Sequence, residues 1–289
     1  MEGVAAPSEA VRELVRRALD EDRAAEDATT LAVVPPSARA EARVLARAEG
    51  VLAGMPWALA AFRELDPAVG VLHALEDGAA LAPGDEVLRL EGAARALLAA
   101  ERVALNFLQQ LSGVATLTRR AVAAAEGRLQ VLPTRKTVPG LRDAQRHAVR
   151  AGGGVDHRRD LADQLLLKEN HFALSGLSYA ETVARAVAAA AGRVVGAEAR
   201  SVEEAEAALS AGADYVLLDN FTPEELAAAV AELRSRHPRA VLEASGGLHP
   251  DDLVRLAGLG LDRVSLGALT HSPPALDLSL LLEPRGDAA

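Results

Sequence analysis

From residue 129 onward, short apolar runs alternate with amphipathic helical stretches at close spacing, and this alternation constrains the fold more than any other feature of the chain. Leu129-Gln130-Val131-Leu132 precedes a helical pattern over 141–150, and Gln164-Leu165-Leu166-Leu167 precedes one over 179–191. Val194-Val195 leads to a helix over 202–210, Tyr215-Val216-Leu217-Leu218 to one over 223–236, and Val241-Leu242-Glu243-Ala244 to one over 250–256. Arg263-Val264-Ser265-Leu266 closes the series. Apolar strands each followed by a helix form a parallel sheet covered by helices, and this many units without a long hydrophilic break predict an α/β barrel.

The first third reads differently. Ser8 gives an N-cap signal for a helix ending near Asp20. Residues 40–53 alternate weakly up to Gly54, and the turn Pro83-Gly84-Asp85 leads into the alternating Glu86-Val87-Leu88-Arg89-Leu90. A helix over 94–113 carries Leu97, Leu98, Val103, Leu105, Phe107, Leu108 and Leu111 around much of its circumference, the mark of a helix buried or shared between domains.

Composition narrows the chemistry. The 289 residues contain no cysteine, which excludes disulfides, thiolate metal sites, iron–sulfur clusters and a cysteine nucleophile. A net charge of −10 argues against a nucleic-acid or anionic-membrane surface. Met1-Glu2-Gly3-Val4 shows no basic or apolar leader pattern and no apolar run approaches ~18 residues, so a cytoplasmic setting is expected. Of the 31 basic residues only Lys136 and Lys168 are lysines. With arginine as the default cation, a lysine marks a place where a compact point charge is required.

In a barrel the active site gathers at the C-terminal ends of the strands. Reading each strand to its end yields Arg135-Lys136, Lys168, Glu198, Asp219, Ser245-Gly246-Gly247 and Gly267. Arg135, Lys136, His157, Arg158 and Lys168, with Arg102 and Arg142 as additions, form a pocket for a small polyanion. Pairing with acids such as Asp143 and Asp160 is the plainer reading for Arg142, Arg150 and Arg159. Glu198 and Asp219 can hold Mg²⁺ through water, stabilise a positively charged sugar-like transition state, or neutralise the lysines. Ser245, Gly246, Gly247 and Gly267 read as a phosphate cup after the last strands. Gly152-Gly153-Gly154 reads as a loop passing close to a ligand or flexing over it, and lacks the spacing of a dinucleotide fingerprint. His157 reads as a ligand donor; His73, His147 and His237 read as structural or exposed, and no histidine pair has zinc-ligand spacing. These residues describe a barrel enzyme for a phosphorylated sugar and a small polycarboxylate, with Mg²⁺, and leave the reaction open.

Seven ordered motifs carry a resemblance. They are Glu101-Arg102-Val103-Ala104-Leu105-Asn106-Phe107-Leu108, Thr134-Arg135-Lys136-Thr137-Val138-Pro139-Gly140, Gly152-Gly153-Gly154-Val155-Asp156-His157-Arg158, Lys168-Glu169-Asn170-His171, Leu218-Asp219-Asn220-Phe221, Ala244-Ser245-Gly246-Gly247 and Gly267-Ala268-Leu269-Thr270-His271-Ser272. Together they resemble the quinolinate phosphoribosyltransferases. The resemblance implies an N-terminal α/β sandwich domain over 1–112, an incomplete TIM-like barrel over 113–272, and a tail over 273–289 that packs back on the first domain. It implies conversion of quinolinate and phosphoribosyl pyrophosphate to nicotinate mononucleotide, pyrophosphate and CO₂ in de novo NAD synthesis, with Mg²⁺. It also implies a homodimer, open to higher assembly, in which Arg102 reaches the partner's site.

By the same resemblance Arg102, Arg135, His157, Arg158 and Lys168 hold quinolinate. Lys136 and Lys168 meet the ribosyl pyrophosphate, Glu198 and Asp219 the ribose and Mg²⁺, and Ser245, Gly246, Gly247 and Gly267 the phosphates. The chain departs from the family pattern at Pro133, where Asp is common, at Asp156, where Asn is common, and at Gly196, where Glu is common. Residues 21–27 lack the usual glycines of an N-terminal acidic motif. The other readings are a molybdenum-transport-associated relative, a non-catalytic phosphate-binding protein and a nicotinate-specific transferase.

Overall fold

The computed structural model describes residues 8–285, so Met1 to Val4 and residues 286–289 of the expected tail lie outside the described residues. The chain divides into two compact units. The first holds the described residues up to Thr116, Asp143–Gly152 and those from Pro273 on; the second holds Leu117–Arg142 and Gly153–Ser272.

In the first unit, α1 (Glu9–Glu21) begins where the Ser8 side chain accepts the Val11 N–H, as its N-cap signal predicts. There follow α2 (Ala28–Val33), β1 (Arg39–Ala46), β2 (Gly50–Val51), α3 (Met55–Leu65), β3 (Gly70–Ala74), β4 (Ala80–Leu81), β5 (Glu86–Ala93) and α4 (Ala94–Ala124), of which the residues from Leu117 on belong to the second unit. The segment read as weakly alternating over 40–53 is thus two strands. An antiparallel sheet runs in the order Leu278–Pro284, β1, β5, β3. Ala40, Ala42, Val44 and Ala46 of β1 face the core at every second position, and α3 is buried from Trp57 through Phe62. A sheet with one buried face covered by helices is the expected α/β sandwich.

The second unit contains the strand–helix repeats: β6 (Gln130–Pro133), β7 (Leu165–Leu167), β8 (Val195–Ala199), β9 (Tyr215–Asp219), β10 (Val241–Ser245) and β11 (Arg263–Leu266). All pair in parallel in the order β6-β11-β10-β9-β8-β7, and no pairing between β6 and β7 occurs among the described residues, so the barrel stays open. Val216, Leu218, Leu242, Ala244, Val264 and Leu266 point outward and pack with Val230, Leu233, Leu253 and Leu269 in the core between sheet and helices. Alternation therefore turns Glu198, Tyr215, Leu217, Asp219, Glu243, Ser245 and Arg263 to the inner face.

Three departures from the sequence reading have physical causes. The long helix does not stop at 113 but continues to Ala124, since an isolated glycine is a weak helix breaker. Gly113 serves a close approach instead: a Cβ there would lie 2.1 Å from the Pro274 carbonyl oxygen. A helix over Glu169–Ser175, not anticipated, has no buried residue and so no apolar periodicity to reveal it. The helix Arg142–Ala151, expected as a barrel element, groups with the first unit over Asp143–Gly152. There His147 stands edge-on to Trp57, ring centroids 5.2 Å apart, with its Nε2 2.6 Å from Asp77. No helix among the described residues is long and apolar enough to cross a membrane.

Candidate active site

The C-terminal ends of the parallel strands surround a cavity of about 580 Å³ in the second unit. β6 and the turn after it supply Thr134, Arg135 and Lys136; the following loop supplies His157 and Arg158. Leu166 and Lys168 come from the end of β7, Glu198 and Arg200 from that of β8, and Leu217, Asp219 and Asn220 from that of β9. Glu169, paired with Arg200, and Ser245, Gly246, Gly247 and Ser265 complete the wall. Ten expected site residues thus share one cavity: Arg135, Lys136, His157, Arg158, Lys168, Glu198, Asp219, Ser245, Gly246 and Gly247.

Gly267 does not line it. It lies behind Lys136, where a Cβ would come within 3.1 Å of the Lys136 Cδ, and Thr270 Oγ1 donates to the Lys136 carbonyl at 2.9 Å. Arg102 is exposed on α4 and is not part of the cavity wall. The glycines 152–154 are also outside it; Gly153 is left-handed (φ 94°) in the bend that leads to His157. Arg142 has a structural partner set, its Nε donating to Thr137 Oγ1 at 3.2 Å.

Local chemistry explains how these side chains are held. Lys168 opens the helix Glu169–Ser175, and its backbone N–H donates to His171 Nδ1 at 2.9 Å, so the Lys-x-x-His spacing is a helix-start device. The Lys168 Nζ lies 2.5 Å from Glu198 Oε2. Among the described residues, the Asp219 carboxylate accepts a side-chain hydrogen bond from Asn220 Nδ2 alone, at 2.6 Å. Burial, followed by the charge of Glu198, raises the pKa of Asp219 above the ordinary aspartate value, with Lys168 and Arg200 opposing. Gly246 is left-handed (φ 98°), and a Cβ there would lie 2.4 Å from Asn220 Oδ1. That glycine lets the β9 and β10 turns meet.

A second group of lining residues is cationic. Arg135 Nε is buried without a hydrogen-bond partner, and Arg158 is buried with its pKa lowered by burial and then by the charge of Arg135. Such donors call for an anion. Thr134, Glu169, Arg200, Asn220 and Ser265 also line the cavity, and a reading of the leading charged or glycine residues at each strand end passes over them. No three His, Asp or Glu residues form a metal cage among the described residues. Glu198 and Asp219, two carboxylates beside phosphate-sized space and burdened by mutual repulsion, nevertheless fit Mg²⁺, which is held by one or two carboxylates together with substrate phosphates.

Residues 27–112 match the family model described as quinolinate phosphoribosyl transferase, N-terminal domain, and residues 114–281 match that of its C-terminal domain. The chain belongs to the quinolinate phosphoribosyltransferase family. It is 42% identical over 277 residues to the nicotinate-nucleotide pyrophosphorylase (carboxylating) of Mycobacterium leprae, covering 94% of this chain and 97% of the relative. The Homo sapiens protein of that name is 40% identical over 255 residues, 87% of this chain and 85% of the relative. The crystal structure of NadC from Streptococcus pyogenes matches with a TM-score of 0.88 at 38% identity, over 95% of this chain and 96% of that one.

Within this quinolinate phosphoribosyltransferase, the three departures have local explanations. Pro133 ends β6, an edge strand, where a missing N–H is tolerated. Asp156 is half-buried and does not line the cavity, so its charge is not added to the wall. At Gly196 a Cβ would fall 2.1 Å from the Tyr215 ring, so the aromatic ring occupies the room that a side chain at 196 would need.

Proposed function

We propose that this cavity carries out the reaction of the family, with a division of labour between its two walls. The protein transfers the phosphoribosyl group of phosphoribosyl pyrophosphate to quinolinate, with decarboxylation, giving nicotinate mononucleotide, pyrophosphate and CO₂ in NAD synthesis. The observation that carries the assignment of roles is the order of charge along the strand ends: Arg135 and Lys136 follow β6, His157 and Arg158 lie in the loop after it, and Glu198 and Asp219 end β8 and β9, with the Lys168 ammonium 2.5 Å from Glu198.

In this reading Arg135, His157, Arg158 and Lys168 bind the two carboxylates of quinolinate, guanidinium forks being suited to them. Lys136 and Lys168 meet the pyrophosphate, and the turn Ser245-Gly246-Gly247 meets the 5′-phosphate through backbone N–H groups. Gly267 supports Lys136 from behind. Glu198 and Asp219 face the ribose and would hold Mg²⁺, which when bound supplies neutralising charge for the leaving pyrophosphate. The bond from C1′ to the pyrophosphate oxygen breaks with its electron pair leaving on pyrophosphate. The two carboxylates stabilise the positive charge that develops on the sugar. The pyridine nitrogen donates its lone pair to C1′, and the cationic ring then accepts the electron pair left by the departing CO₂ before taking a proton at that carbon. No covalent enzyme intermediate is required.

A homodimer, with the exposed Arg102 entering the partner's cavity, and a cytoplasmic setting belong to the same proposal. The test is mass-spectrometric detection of nicotinate mononucleotide from purified protein with phosphoribosyl pyrophosphate, Mg²⁺ and either quinolinate or nicotinate. Product from quinolinate alone is expected. Product only from nicotinate, or none from either with folded protein, overturns the reading.

A further inference from the structure

The interior of a barrel of this type is ordinarily filled by branched aliphatic side chains. Here the inner face below the cavity carries a buried charged array. Glu243 on β10 is fully buried, with Oε1 3.3 Å from His157 Nε2 and Oε2 2.8 Å from Arg263 Nε. Arg263, in register with Glu243 on the neighbouring strand, places its guanidinium 4.1 Å from the centroid of the Tyr215 ring. That ring stands edge-on to His157 at 6.2 Å and occupies the space beside Gly196.

Two details give the array a direction. The backbone N–H of Arg158 donates to His157 Nδ1 at 2.7 Å, which leaves the imidazole proton on Nε2, the nitrogen beside Glu243. Glu243 Oε1 lies opposite the proton on His157 Nε2, and Oε2 forms the ion pair with Arg263. Burial pushes the Glu243 carboxyl up, but His157 and Arg263 outweigh it and keep the group below the usual carboxylate range. The carboxylate is therefore ionised, and it is one atom pair away from a residue of the cavity wall.

We propose that Glu243 is a positioning residue for the aromatic dicarboxylate: it fixes the ring orientation of His157 and, through the Arg158 amide, the cationic wall, while Arg263 on Tyr215 holds Glu243 in place. The proposal rests on the assignment of that wall to quinolinate. It separates the two substrates, because among the described residues Glu198 and Asp219, assigned to the ribose, form no ion pair or hydrogen bond with the array.

The experiment is Glu243→Gln, which keeps shape and removes charge. The KM for quinolinate is expected to rise by about tenfold to a hundredfold, while kcat and the KM for phosphoribosyl pyrophosphate stay within about threefold. A merely structural role would lower the active fraction, and hence kcat, without this selectivity. An unchanged quinolinate KM, a loss confined to kcat, or an equal rise for both substrates overturns the proposal. If the variant does not fold, Arg263→Gln is read by the same criteria. Nitrogen NMR of the His157 ring gives a readout independent of turnover: the Nε2–H resonance, set in the natural protein by the facing Glu243 carboxylate, should shift in Glu243→Gln. Should the natural protein make no nicotinate mononucleotide, the functional reading fails, whereas an unaltered His157 Nε2–H resonance in the variant sinks the role of Glu243 itself.

Discussion

Asp77 in the first unit and Asp219 in the second are both partly buried loop or strand-end aspartates, yet they are treated in opposite ways. Asp77 accepts the Gly54 and Met55 backbone N–H groups at 3.0 and 3.1 Å and lies 2.6 Å from His147 Nε2. It supplies the cap that α3 lacks, since Gly54 at its N-cap has no side chain. Asp219 accepts the Asn220 amide as its one side-chain donor among the described residues, faces the like charge of Glu198, and carries a raised pKa. A carboxylate whose bonds are all made within the fold stabilises the fold. One that is buried but under-partnered retains free energy that a ligand cation can release, which is how a site differs from a staple.

The largest effect that would break this contrast concerns turnover. Asp219→Asn and Lys168→Ala are each expected to lower kcat by about 10³-fold or more, at an unfolding temperature within a few degrees of the natural protein. Steady-state kinetics with quinolinate, paired with circular-dichroism melting, measures both. Near-normal activity in either variant would remove the residue from the site.

Next in size, Asp77→Ala should cost about 2–3 kcal/mol of stability, because it strands two backbone donors and the His147 Nε2. Turnover per folded molecule should remain within about twofold. Denaturant unfolding gives the first quantity and active-site-normalised rates the second. A stable, inactive Asp77→Ala would invert the comparison.

What the sequence conveyed follows from the same distinction. The helices Val202–Ser210 and Pro223–Arg236 and the strand Arg263–Leu266 were legible to the residue, because short apolar strands and capped amphipathic helices advertise themselves by period. The rim was legible because a parallel barrel sends strand-end side chains to one place, and ten of the expected residues line the cavity there. The array of Glu243, Arg263 and Tyr215 was not, for an inner-face charge looks like any other residue in a strand until its neighbours across the sheet are known. Gly196 likewise reads as a missing acid, and only the Tyr215 ring lying against it explains the loss. Arg102 stays apart for a third reason: its proposed partner is another copy of the chain.

The smallest expected effect sharpens the contrast most. Because the fold raises the pKa of Asp219, the folded protein binds that proton more tightly than the unfolded chain does. Ionising Asp219 therefore costs stability as pH rises from the ordinary aspartate range through the raised value, and the cost is absent below that range. Asp219→Asn removes the titration. At pH 7 the variant should melt about 1–3 °C higher than the natural protein, and the gap should close as the pH falls below the ordinary aspartate value. The same mutation that abolishes turnover then stabilises the ligand-free fold. A lower melting temperature at pH 7, or a gap that does not change with pH, would mean that Asp219 is a structural carboxylate like Asp77 and that the strain assigned to the site resides elsewhere.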